Sequence, residues 1–180
     1  MEELSLGIFV VPTIALTLVI LGYLYFAKQV KDRGEYRRFV FAVAVTSFAL
    51  NFVWELAQGP LYEGFKYDLK HISFCALASV ADMLMVFILL FAFGLIYNKD
   101  VYWIRQMDSS VTVSLISIGG AGAILGEIGH TMRGDWSYSS NMPLLPMVNV
   151  GLLPFLQFTI LPWLIFLICR KFIKEKYSKI

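Results

Sequence analysis

Polar residues interrupt this chain in bursts, and between the bursts lie five stretches of nearly continuous apolar side chains, at approximately 7–27, 38–59, 71–97, 109–130 and 148–169. Each is about 20 residues or longer, the length a helix needs to cross roughly 30 Å of hydrocarbon. None alternates apolar and polar positions as a barrel strand does, and a backbone in lipid must satisfy its own hydrogen bonds, so all five are predicted to be helices. The expected architecture is all-α: residues 1–180 form one integral-membrane bundle of five transmembrane helices, a multi-pass protein of the cell membrane.

Composition agrees. Of 180 residues, 58% are hydrophobic and only 16% charged, with mean hydropathy +0.70, more apolar side chain than a soluble core of this size can bury. The net charge of +2 hides an asymmetry. Lys28, Lys31, Arg33, Arg37 and Arg38 fall in or beside the first loop, Lys99 and Arg105 in the third, and Arg170, Lys171, Lys174, Lys176 and Lys179 in the tail. That side is expected to be cytoplasmic, which puts the N-terminus outside and the C-terminus inside. The same rule accounts for the basic loops as topology signals and anionic-lipid contacts, and nucleic acid is not an expected partner. The first stretch is expected to stay as a helix, because Met1-Glu-Glu-Leu-Ser is acidic where a signal peptide is basic. Cys75 and Cys169 belong to opposite ends of their spans and are expected as buried free thiols.

Ionisable groups inside such spans are uncommon and mark sites. The stretch Asn51-Phe-Val-Trp54-Glu55-Leu-Ala-Gln58 supplies the first, and Asp82, Glu127 and His130 the others. Counting 1.5 Å per residue along spans of alternating direction brings these groups to one end. Asn51, Glu55, Gln58 and Tyr62 form a stripe toward the external end of span two. His71, Ser79 and Asp82 run inward from the same side, Glu127 and His130 close span four there, and Asn149 and Gln157 open span five. The expectation is a polar pocket open to, or just beneath, the external face. The segment from Thr131 to Pro146, with Arg133, Asp135, Trp136 and Tyr138, suits a lid over it. Gly119, Gly122, Gly126 and Gly129 suggest a close-packing face of span four.

No metal is expected: there is no His-Glu-x-x-His, no cysteine pair at ligand spacing, and no second copy of the Glu127/His130 pair. Haem, a serine or cysteine nucleophile with histidine, and phosphate-binding glycine loops are equally unsupported, so no cofactor is expected. Carboxylate acid–base chemistry remains. In this reading Glu55, Glu127 and Asp82 carry protons, His130 tunes Glu127, and Asn51, Trp54, Gln58, Tyr62, His71, Arg133, Asp135, Trp136, Tyr138 and Gln157 contact or orient a hydrophobic small molecule or lipid.

The segment Asn51-x-x-Trp54-Glu55 resembles the Asn-x-x-Trp-Glu of an early helix in the integral-membrane meroterpenoid cyclases, whose glutamate there is thought to act in catalysis. The resemblance spans about one helix, and those proteins have about seven spans. It implies protonation of an isoprenoid alkene or epoxide by Glu55, with Glu127 or Asp82 standing in for the second carboxylate. The series Trp136-x-Tyr138-x-x-x-Met142-Pro143-x-x-Pro146 resembles a pattern in small bacterial multi-pass membrane proteins and implies no mechanism. The rival expectation is a proton-coupled small-solute transporter or a ligand-binding membrane protein. Five spans lack the inverted repeat common in carriers, a defect that a homodimer would repair.

Overall fold

The computed structural model describes residues 10–97 and 99–173. Lys174, Lys176 and Lys179, used above for orientation, lie outside the described residues, as do the acidic Met1-Glu-Glu-Leu-Ser and the start of the first apolar stretch. Five α-helices follow in order: α1 Val10–Gln29, α2 Arg33–Gln58, α3 Leu69–Ile96, α4 Ser109–Arg133 and α5 Leu152–Cys169. All five are long and apolar enough to cross a membrane, as a multi-pass membrane protein requires. Among the described residues there is no β-strand, only two isolated bridges, Tyr62 with Tyr138 and Leu144 with Gly151.

Aspartates start three of the helices. Asp32 accepts from the backbone N–H of Gly34 and Glu35, Asp68 from His71, and Asp108 from Val111, each filling donors that a first turn leaves unpaired. Gly59 and Pro60 end α2, since proline cannot donate to a continuing helix. Gly134 ends α4 at φ 74°, a left-handed conformation open to glycine, and its N–H returns to His130 and Thr131.

Helix α2 packs on α3 and α5, α4 packs on α5, and α1 lies against α3 at the edge of the bundle. Two halves differ in character. In the half holding the start of α2 and the end of α5, the core is aromatic: Phe26, Tyr36, Phe39, Phe93, Trp103 and Phe166 are all buried. Their polar atoms are matched, Tyr36 OH donating to Tyr23 O at 3.0 Å and Trp103 Nε1 to Leu90 O at 2.9 Å. In the other half, polar side chains fill the space between helices. Outward faces carry Phe41, Val53, Leu77 and Leu125, all well exposed.

Three sequence expectations change. The fifth helix begins at Leu152 rather than near 148, because Met147 and Asn149 take left-handed φ values of 72° and 54° in a turn closed by Leu145 N–H to Val150 O and Leu152 N–H to Pro143 O. Asn149 therefore belongs to the loop. The glycine face is also different: a Cβ on Gly119 would lie 2.1 Å from Phe158 O and one on Gly120 2.9 Å from Phe155, whereas Gly122 and Gly126 face open space. Close approach of α4 to α5 thus runs through adjacent Gly119 and Gly120. It coincides with Pro162 inside α5, which has no N–H to give Phe158 O, its partner four residues back. That carbonyl sits over Gly119, where only a hydrogen leaves it room.

Candidate functional site

Three helices contribute to one buried polar cluster. On α2, Asn51, Glu55 and Gln58 share a face because residues three and four apart stack along a helix. Asp82 comes from α3 and Gln157 from α5. The Gln157 amide is the hub: Nε2 lies 3.0 Å from Asn51 Oδ1, 3.0 Å from Glu55 Oε1 and 2.9 Å from Asp82 Oδ2. Its two hydrogens can serve two of these acceptors at a time. Its Oε1 accepts from Gln58 Nε2 at 2.8 Å, and Gln58 also donates to Glu55 Oε1 at 3.0 Å and accepts from Trp54 Nε1 at 3.2 Å. Glu55 and Asp82 hydrogen-bond carboxyl to carboxyl, a contact that two such groups make through a shared proton.

Glu127 enters from α4 and is held by the following loop, accepting from Trp136 Nε1 at 3.3 Å and from Tyr138 OH. The loop is strapped to the α2–α3 connection. Glu63 N–H donates to Ser137 O, Ser139 N–H to Leu61 O, and Ser137 Oγ to Glu63 Oε2 at 2.7 Å. The Tyr62 ring meets Trp136 edge-on and lies beside Tyr138. Burial raises the phenol pKa of Tyr138, and its bond to Glu127 adds to that; burial, then the nearby Glu127, does the same for Tyr62. Both phenols therefore stay protonated, and that of Tyr138 acts as a donor.

No Lys or Arg forms an ion pair with Glu55, Asp82 or Glu127 among the described residues. The amide hub is buried, Gln157 being 1% exposed, Asn51 2% and Gln58 3%, while Glu55 and Asp82 are half-buried. Two clefts form elsewhere, an apolar one of about 250 Å³ between α1, α2 and α3 and a polar one of about 420 Å³ at the opposite end.

Two candidates stand apart. His71 pairs through Nδ1 with Asp68 at 2.7 Å and packs beside Phe65 at the bundle's rim. Asp68 also takes the His71 backbone N–H, which with the ring holds its carboxyl below the usual range. His130, the residue expected to tune Glu127, forms no hydrogen bond to it. Its Nδ1 lies 2.7 Å from Asp135 Oδ2 and 2.8 Å from an Arg133 nitrogen, and its ring stacks on Trp136 at 4.2 Å. His130 thus reaches Glu127 through the indole it supports. Asp135 is held below its usual range first by His130 and then by Arg133, which donates to it from Nε and a terminal nitrogen.

Two features escaped the sequence reading. Ser47 is fully buried one turn below Asn51, which donates to its carbonyl, and its hydroxyl has no partner among the described residues; the i, i−4 spacing from Asn51 was the available signal. The Glu63–Ser137 strap joins residues 74 apart, and no local pattern announces it. Among the described residues, no three of His, Cys, Asp and Glu gather as metal ligands.

Comparison of the chain with protein-family models, curated proteins and solved structures found no match.

Proposed function

We propose that this is a multi-pass protein of the cell membrane, N-terminus outside, in which the Glu55–Asp82–Glu127 cluster performs acid–base catalysis on an isoprenoid or similarly apolar lipid. The observation carrying this reading is the hydrogen-bonded Glu55–Asp82 pair, held by Gln157 and without an ion pair among the described residues. A proton shared there is available to an alkene or epoxide. In the proposed cycle Glu55 delivers it, positive charge builds on carbon near the Trp54, Trp136 and Tyr138 rings, Glu127 removes a proton from the adjacent carbon, and return of that proton from Glu127 to the Glu55–Asp82 pair restores the starting state. Bonds rearrange without net oxidation, as in a cyclase or isomerase. Substrate enters when the loop after α4 lifts, since Trp136 and Tyr138 of that loop cover Glu127.

The test is mass spectrometry of organic extracts from protein purified in mild detergent, wild type against Glu55→Gln, with equal melting temperatures required of both. A polyisoprenoid or sterol-like precursor enriched on the variant supports the enzyme. Absence of any enriched apolar species from both sinks it.

One observation favours a second reading, a proton-coupled carrier: the buried Gln157 amide ties carboxyls from two other helices together, as a proton-loaded site in a carrier would. Proton-dependent uptake into proteoliposomes, lost in Glu55→Gln, distinguishes that case.

A further inference from the structure

Far from the acid cluster, the start of α2 and the α3–α4 connection border an open cleft of about 420 Å³ whose charged lining is three cations, Lys31, Lys99 and Arg105, and three acids, Asp32, Glu35 and Asp100. The 20 residues from Glu35 to Glu55 put it about 30 Å from the acid cluster along α2.

The acids here have identified work inside the protein. Asp32 accepts from two backbone N–H groups of the first turn of α2, Asp100 from Tyr102 N–H at 2.8 Å, and Glu35 from Arg105 at 3.2 Å. Donors remain beside these pairs. Lys31 and Lys99 are exposed at the rim and form no ion pair among the described residues. Arg105, placed by Glu35 and by the Tyr102 ring 4.5 Å away, keeps its Nε without a hydrogen-bond partner among the described residues, as does Tyr102 OH. Burial and the Glu35 charge push the Tyr102 phenol up to about 12, so it too is a donor. Lys99 holds a left-handed φ of 54°, a conformation that costs a lysine energy and is common where backbone strain serves a site.

We propose that this cleft binds a phosphate-bearing anion, with Lys31 and Lys99 gripping the phosphate at the rim and Arg105 facing it from the wall. A phospholipid headgroup and free phosphate offer the same oxygens, and both chemistries fit the donors.

The experiment uses the full chain in neutral detergent, where no charged surface attracts lipid diffusely, and reads retained lipid by native mass spectrometry. Phosphatidylglycerol and phosphatidylcholine are offered, with inorganic phosphate as competitor. The paired variant Lys31→Gln/Lys99→Gln is compared with Arg37→Gln/Arg38→Gln, which removes the same charge from exposed positions nearby on α2. Expected is a roughly 30-fold loss of bound phosphatidylglycerol in the lysine pair, about fivefold per lysine, and little loss in the arginine pair. Thermal stabilisation by inorganic phosphate alone, lost in the lysine pair, assigns the site to a soluble phosphate. Equal losses in the two pairs, or no anion-specific retention and no phosphate effect, overturn the proposal. All four positions are exposed, so unchanged melting temperatures are expected and separate binding from folding.

Discussion

Replacing Gln157 by methionine tests whether the polar cluster holds the helices together. Methionine keeps the length and much of the volume of glutamine but offers only a weak sulfur acceptor. At any moment Gln157 makes three strong hydrogen bonds, two through Nε2 to acceptors on α2 or α3 and one through Oε1 from Gln58. Side-chain bonds between transmembrane helices average about 0.6 kcal/mol and reach about 1.7, so their loss destabilises the bundle by about 2 kcal/mol, with a ceiling of about 5. The upper part of that range applies if Asn51 Oδ1 and Gln58 Nε2 find no substitute in a site this buried. Reversible unfolding in mixed detergent micelles measures the difference. A double-mutant cycle with Asn51→Leu then reports the coupling, expected to be clearly non-additive because the two side chains touch. A change within about 0.5 kcal/mol of zero would refute the reasoning, since the interior would then tolerate an apolar hub as well as a polar one.

Gly119→Ala should destabilise by about 1–3 kcal/mol, because its methyl meets the Phe158 carbonyl and a backbone must shift, while Gly126→Ala should be neutral or gain up to about 1 kcal/mol in open space; melting in detergent ranks the two, and the reverse order would refute this packing. Tyr138→Phe removes one of the two donors on Glu127, so amide exchange around residues 136–139 should accelerate with little change in global melting; unaltered exchange would show that the phenol does not hold the loop. Asp135, whose carboxyl sits below its usual 3.8 when folded, stabilises the loop fully above about that pH and loses the effect as pH falls through its lower folded value. Acid-protease cleavage of the loop should therefore rise below about pH 4 in the wild type, and Asp135→Asn should already be cleaved readily at pH 5.

Much of this organisation was legible because two periodicities are strong. Apolar runs longer than any soluble helix needs located the five helices to within a few residues. The spacing of Asn51, Glu55 and Gln58 placed them on one face, and depth counting brought Asp82, Glu127 and Gln157 to the same end. What stayed hidden depends on rotation and long-range partners. The Gly119–Gly129 series is symmetric enough that sequence alone does not say which side meets α5, and Gly122 and Gly126 turn out to face away. His130 is near Glu127 in sequence, yet the turn at Gly134 brings Asp135 and Arg133 to its ring first. The pairing of Glu35 with Arg105 joins residues 70 apart, so the basic loops read as scattered charges rather than as the walls of one cleft.

Proline 162 divides α5 into two unequal mechanical pieces. The segment before it carries Gln157, and the backbone bond that would normally stiffen the join, to Phe158, cannot form. Bending there breaks no ladder hydrogen bond at Phe158 O, and the carbonyl slides over a glycine rather than a side chain. A tilt of the leading segment would withdraw the Gln157 amide from Asn51, Glu55 and Asp82 together, releasing α5 from α2 and α3 in one movement and leaving the Glu55–Asp82 bond to join those two alone. The helix that locks the acid cluster is thus built with its own hinge, placed five residues from the latch.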